Sequence, residues 1–338
     1  MCGPLRSPRP LGVAAFLLLT VFVLGCSSGD GRAGAPAGDS TEPAAGGGEF
    51  WVDPDSPAAR QVATWERAGR EEDAELLRRI SERPMATWPP GEEDPGPRVR
   101  TVTEAATEAG RTAVLVAYNI PHRDCGQYSQ GGAAGAEAYE RWIGSFAEAI
   151  GTARAIVVLE PDAVPHTADG CTDRMYLTER FDLLASAVEA LTAQPNTRVY
   201  LDAGNPSWIA DPDRLADALT RSGVARADGF ALNVANFQTL DASAAYGRDL
   251  SSLLGGAHFV IDTSRNGNGP YEGDAEPWCN PPGRALGTPP TTETGDPLVD
   301  AYLWIKRPGE SDGECRGGPR AGRWWPEYAL DLARNADA

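Results

Sequence analysis

The sequence predicts an α/β protein built on a parallel sheet, and three observations carry that prediction. From about residue 50 onward, short apolar, β-branched runs alternate with longer Ala-rich amphipathic stretches. The short runs are apolar throughout, as strands covered on both faces are. Nearly every one of them is followed at once by a cluster of polar and ionisable residues. Strands are expected at Ala113–Tyr118, Ala155–Leu159, Arg198–Leu201, Gly229–Asn233, His258–Asp262 and Ala301–Ile305, with a weaker seventh at Met85–Trp88. Helices are expected near Arg98–Ala109, Gly135–Ile150, Leu177–Ala193, Asp213–Ser222 and Ser243–Leu253. This order makes the helices crossovers between parallel strands.

The polar clusters are the functional signal. Tyr118 leads to Asn119, Arg123 and Asp124, and Leu159 leads to Glu160 and Asp162. Leu201 leads to Asp202, and Leu232 to Asn233 and Asn236. Ile261 leads to Asp262, Ser264, Arg265 and Asn266, and Ile305 to Lys306, Glu310 and Asp312. In a parallel α/β fold the C-terminal strand ends share one face, where ligands bind. One rim is therefore expected to gather five or more carboxylates. Turn formation and helix capping explain a few such residues, Asp211 and Asp213 among them. They do not explain a cluster after nearly every strand.

Composition narrows the chemistry. The formal net charge of -18 over 338 residues excludes a phosphate backbone as partner and disfavours anionic lipid, whereas a neutral polysaccharide meets no such objection. Three His residues, His122, His166 and His258, argue against a His-rich metal site. No Cys-x-x-Cys pair suggests zinc, so neither metal nor cofactor is expected. Nucleophile-elbow and phosphate-loop motifs are lacking, and Gly267-Asn268-Gly269 is too short to signal a nucleotide. Carboxylates alone suit glycoside hydrolysis, in which one carboxyl protonates the leaving oxygen and another assists water. Nine Trp residues fit that reading, because Trp88, Trp208 and Trp278 stand beside these loops and an indole face stacks on a sugar ring.

The N-terminus reads as a targeting segment. Arg6 and Arg9 precede an apolar stretch from Leu11 to Leu24, too short for a comfortable membrane span. It ends in Val23-Leu24-Gly25-Cys26, which resembles a bacterial lipobox. Residues 1–25 are thus expected to be a lipoprotein signal and Cys26 a lipidated anchor to the outer membrane face. The alternative is an ordinary secretory signal with an incidental Cys. Residues 26–49, rich in Gly, Ala and Ser, read as a flexible tether, and 50–338 as one catalytic domain. Cys125, Cys171, Cys279 and Cys315 remain, and four Cys allow three pairings. The sequence-local set, Cys125–Cys171 with Cys279–Cys315, is the first choice for an exported chain.

Seven ordered motifs then resemble the family-six glycoside hydrolases, the cellulases and cellobiohydrolases of bacteria and fungi. They are Tyr118-Asn119-Ile120-Pro121-His122-Arg123-Asp124-Cys125-Gly126, Glu160-Pro161-Asp162, Tyr200-Leu201-Asp202-Ala203-Gly204 and Asn233-Val234-Ala235-Asn236-Phe237. Ile261-Asp262-Thr263-Ser264-Arg265-Asn266-Gly267, Trp278-Cys279-Asn280-Pro281-Pro282-Gly283-Arg284 and the stretch from Trp304 to Gly313 complete the set. The resemblance runs from about Trp51 to Tyr328. It implies a distorted seven-stranded parallel β/α barrel and cleavage of β-1,4-glucan with inversion. It implies Asp162 as general acid, kept protonated by like-charge repulsion from Asp124, and Asp312 at the position proposed for the base. Tyr118 is implied to crowd the sugar at the cleavage point. Trp88, Trp208 and Trp278 are implied as stacking platforms, and Asn236, Lys306 and Glu310 as further substrate contacts. The family's disulfides agree with the sequence-local pairing.

Two positions depart from the family pattern. Asn205 stands where His is usual after Asp-Ala-Gly, and Gln130 stands where Ser is usual, with Ser129 one place earlier. These departures are the support for an alternative reading, a surface lipoprotein that binds oligosaccharide with little or no turnover. Short spans from Asp162 to Cys171 and from Arg284 to Asp300 leave little chain to roof the cleft, so endo cleavage of soluble or amorphous glucan by a monomer is expected.

Overall fold

The sheet strands are buried on both sides, and their alternating side chains feed two different cores. In the computed structural model, which describes residues 49–273 and 276–336, six strands lie parallel in sequence order. They are β1 (Ala113–Ala117), β2 (Ala155–Leu159), β3 (Thr197–Asp202), β4 (Gly229–Leu232), β5 (His258–Asp262) and β6 (Val299–Leu303). Val114, Val116, Ile156, Val158, Tyr200, Ala231, Val260 and Ala301 pack together on the inner face. Leu115, Val157, Leu159, Val199, Leu201, Phe230, Leu232, Phe259 and Ile261 belong to the outer core, beneath the helices. Two apolar faces are why the runs carry no period-two signal.

The helices are α1 (Pro57–Arg67), α2 (Glu71–Ser81), α3 (Gly96–Glu108), α4 (Ala136–Ile150), α5 (Pro165–Asp169), α6 (Leu177–Thr192), α7 (Pro212–Arg221), α8 (Leu240–Leu253) and α9 (Pro326–Asn335). Of these, α3, α4, α6, α7 and α8 are the five expected crossovers. Asp211 caps α7 by accepting from Arg214 N, and Thr239 caps α8 by accepting from Ala242 N. The short α5 and the helices α1, α2 and α9 are not among the expected ones, and the last three form a separate cluster. Trp65, Leu77, Ile80, Leu330 and Leu332 close there over Trp304 and Leu286.

The weak seventh strand at Met85–Trp88 becomes a bridge. Thr87 N donates to Val114 O and Val116 N to Thr87 O, both at 2.9 Å, while Ala86 N donates to Trp304 O at 2.9 Å. The segment thus lies between the exit of β6 and the edge of β1, where a seventh strand would close the barrel. Pro84, Pro89 and Pro90 flank it and lack the N–H groups a longer ladder would need. Both disulfides take the sequence-local pairing, with Cα–Cα separations of 6.1 Å for Cys125–Cys171 and 6.3 Å for Cys279–Cys315. The signal segment, Cys26 and the tether up to residue 48 lie outside the described residues.

Candidate active site

Three strand-end carboxyls that the sequence assigns to the rim turn inward instead. Glu160, after β2, accepts Asn119 N and Ile120 N at 2.9 Å, holding the exit of β1. Asp202, at the end of β3, accepts Asp162 N at 2.8 Å, holding the exit of β2. Asp262, at the end of β5, accepts Ala235 N at 3.0 Å and Lys306 N at 2.9 Å, holding the exits of β4 and β6. All three are at most 1% exposed, and none lines the cleft. Their role is to fix loop backbone. Glu160, Asp162, Asn233 and Ala235 all have positive φ, a conformation costing of order 1–3 kcal/mol per non-Gly residue, which these latches offset.

The residues that do face the cleft come from every strand end. The cleft encloses about 650 Å³ and is lined by Tyr118, Asp124, Asp162, Asn236, Lys306 and Asp312, with Trp88, Trp208 and Trp278 as aromatic walls. Trp88 meets Tyr118 edge-on, with ring centroids 5.5 Å apart, and its indole N–H donates to Ile305 O at 2.8 Å. Trp208 donates to Asp169 Oδ2 at 2.9 Å. Trp278 leans against Tyr128, 5.9 Å between centroids, joining the loop after β1 to the loop after β5. Glu310, expected beside Lys306, does not line the cleft. It is buried against Arg307 at 2.6 Å and borders a second depression with Arg60, Gln61 and Trp324.

The two departures resolve differently. Asn205 lines the cleft, and its side-chain oxygen accepts from Ser207 N and Oγ at 3.1 and 2.7 Å. Gln130 is exposed and outside the cleft. Ser129 takes the place beside the carboxylate, its N donating to Asp124 Oδ2 at 2.6 Å.

The electrostatics separate the carboxyls into two kinds. Burial pushes Asp162 up to about 6, with His166 pulling it down and Asp124 pushing it further up. Like-charge repulsion from Asp124, expected to be the main cause, is therefore secondary to desolvation. Burial likewise raises Asp124 and Asp202. Asp312 moves the other way: burial pulls it upward, but Arg265 and Lys306 outweigh that and hold it below its ordinary value. Arg265 Nη1 donates to Asp312 Oδ2 at 2.8 Å, Lys306 Nζ stands 3.3 Å from Oδ1, and Asn280 N donates to Oδ2 at 3.0 Å. Arg265 is itself fully buried, sits over the Phe237 ring at 4.3 Å and donates to Ala235 O. The sequence marks Arg265 as a strand-end residue but gives no sign that it sets the charge of Asp312.

One carboxyl shifted upward and another held downward, facing a single groove, suit acid–base cleavage of a glycosidic bond. The class so defined is the glycoside hydrolases. Residues 45–336 match Glycosyl hydrolases family 6, and the chain belongs to that family. It is 44% identical over 290 residues to Endoglucanase A of Cellulomonas fimi, covering 85% of this chain and 61% of that one. It is 40% identical to Endoglucanase 1 of Streptomyces halstedii, covering 93% and 98%. The endoglucanase Cel6 of Mycobacterium tuberculosis, solved with methyl-cellobiosyl-4-deoxy-4-thio-β-D-cellobioside, superposes with a TM-score of 0.80 at 46% identity, covering 86% of this chain and 98% of that one. The chain thus spans about three-fifths of the length of the Cellulomonas relative and nearly all of the Streptomyces one.

Replacing Arg265 by Met tests the electrostatic assignment of Asp312. Without the guanidinium, burial dominates and the carboxyl rises. A group that must be ionised then loses its charge at higher pH, so the acidic limb of the rate profile should move upward, with a rate loss of about 10²–10⁴ below it. An acidic limb unmoved in the folded variant contradicts the assignment.

Proposed function

We propose that this protein hydrolyses internal β-1,4-glucosidic bonds of soluble or amorphous β-glucan with inversion of configuration. The observation that carries the proposal is that Asp162 and Asp312 line one groove, with Asp312 ion-paired to Arg265 and Lys306 and Asp162 shifted upward by burial. Asp162 is the general acid: protonated when substrate arrives, it delivers its proton to the leaving oxygen. Asp312, held ionised, takes a proton from the attacking water, directly or through a second water. Asp124 adds negative potential that favours the protonated form of Asp162. Tyr118, backed by Trp88, crowds the sugar at the cleavage point, while Trp88, Trp208 and Trp278 stack on rings along the chain. Asn236 and Lys306 contribute polar contacts. The thio-cellobioside bound to the Mycobacterium enzyme supports a β-glucan chain as the occupant of this groove.

Endo action follows from the loops. The chain after Asp162 is taken up by α5 and tied down by the Cys125–Cys171 bridge. The span from 284 to 300 is pinned to the barrel flank: Leu286 N donates to Leu332 O and Trp304 Nε1 to Thr288 O. No described residue of that span lines the cleft. Both loops leave the groove accessible to a chain from the side. The proposal extends to one catalytic domain over 50–338, exported as a monomer and anchored through Cys26 after loss of residues 1–25. Two disulfides suit an oxidising compartment.

Proton NMR of the first products from a soluble β-1,4-glucan tests the reaction. The α-anomer should appear first, with viscosity falling faster than reducing ends accumulate. A β-anomer appearing first, or no cleavage at all, overturns the proposal. For the anchor, Cys26→Ala should release the protein from the membrane fraction or block its processing. Wild-type protein free in the medium with an unmodified N-terminus contradicts the anchor alone.

A further inference from the structure

We propose that Asp124, Asp162 and His166 together bind a zinc ion or a similar borderline divalent cation, and that the occupied site is catalytically silent. One ligand atom from each of the three residues lies within 4.8 Å of the others, close enough to share one ion. His166 supplies the second, independent observation. It is 5% exposed, and among the described residues its Nε2 has no hydrogen-bond partner. A buried imidazole nitrogen left unpaired costs about 1–3 kcal/mol, and a metal ion at that atom removes the cost.

The other ring nitrogen is arranged as in a metal site. His166 Nδ1 lies 3.4 Å from Asp169 Oδ2. Asp169 is itself fixed by the Trp208 indole N–H at 2.9 Å and by Cys171 N at 2.8 Å. A carboxylate behind one nitrogen of an imidazole, leaving the other for the ion, fixes the tautomer and strengthens the ligand. One imidazole and two carboxylates suit zinc or its neighbours, whereas magnesium and calcium favour oxygen alone. Lys306 and Arg123 are the cations acting on this group; Asp312 and Ser311 O already engage the Lys306 ammonium at 3.3 and 3.2 Å, and Arg123 donates to Tyr118 O and Ser129 O at 2.7 and 2.8 Å. Three His residues exclude a His-rich site, but this one needs a single imidazole.

The consequence for activity rests on Asp162 being the acid; the binding itself does not. An ion on the Asp162 carboxylate occupies the oxygen that must carry the proton. Zinc is therefore a reversible inhibitor, and the site makes hydrolysis sensitive to free transition metal outside the cell.

Calorimetric titration of the full-length protein with zinc chloride, in a non-chelating buffer, tests binding without reference to activity. One ion per chain is expected, with magnesium giving no signal. His166→Gln should weaken zinc binding at least tenfold. Asp169→Asn, which keeps the ligand and removes its orientation, should weaken it by about 10–100-fold and serves if the first variant fails to fold. Hydrolysis of soluble glucan should fall in step with occupancy and return on adding EDTA. No binding, or undiminished binding by a folded variant, overturns the site. Stoichiometric binding that leaves the rate unchanged overturns its link to Asp162 as the acid.

Discussion

The active face depends on buried carboxyls that bind backbone. At each of three strand ends, a carboxyl turns into the barrel and accepts N–H groups from the exit loop of a neighbouring strand. Glu160 holds Asn119 and Ile120, Asp202 holds Asp162, and Asp262 holds Ala235, Ser264 and Lys306. Those loops carry the positive-φ residues, so their conformation is not one the chain adopts by default. Tying each loop to the next strand makes the polar rim one hydrogen-bonded structure.

That arrangement also sets the chemistry. Asp162 is held by its own backbone N–H to Asp202, so its position follows from a neighbour's carboxyl. Burial raises Asp202 well above its ordinary value, and the neighbouring Asp162 raises it further. At Asp162 desolvation is the largest influence, with His166 opposing it and Asp124 assisting. Asp312 is buried too but sits on Arg265 and Lys306, and two cations reverse the sign of the shift. The two carboxyls are thus shifted in opposite directions because Asp312 has cations within hydrogen-bond reach.

Most of the fold was legible in the sequence, because strands with two apolar faces leave unbroken runs of Val, Ile, Leu and Ala. The six strands and five crossover helices follow from those runs. Met85–Trp88 was legible as extended chain but not as a mere bridge, since the prolines around it count against a ladder only once the neighbouring strands are in place. The helices α1, α2 and α9 escaped notice because they stand outside the strand–helix alternation. At the site, position after a strand pointed to Asp124, Asp162, Lys306 and Asp312, all of which line the cleft. It could not separate them from Glu160, Asp202 and Asp262, because an acid after a strand reads the same whether it points up at substrate or in at backbone. Glu310 was misplaced for a related reason: Arg307, three residues before it, captures its carboxylate. His166 lacked any signal beyond its nearness to Asp162 in the chain.

The central claim is that burial, more than repulsion from Asp124, keeps Asp162 protonated. Difference infrared spectroscopy of the wild type against Asp162→Asn, recorded as a pH titration, reads that carboxyl directly. A midpoint near 6 is predicted, falling only slightly when Asp124 is replaced by Asn. A midpoint in the ordinary carboxylate range, or one that collapses to it once Asp124 is neutral, would contradict the account.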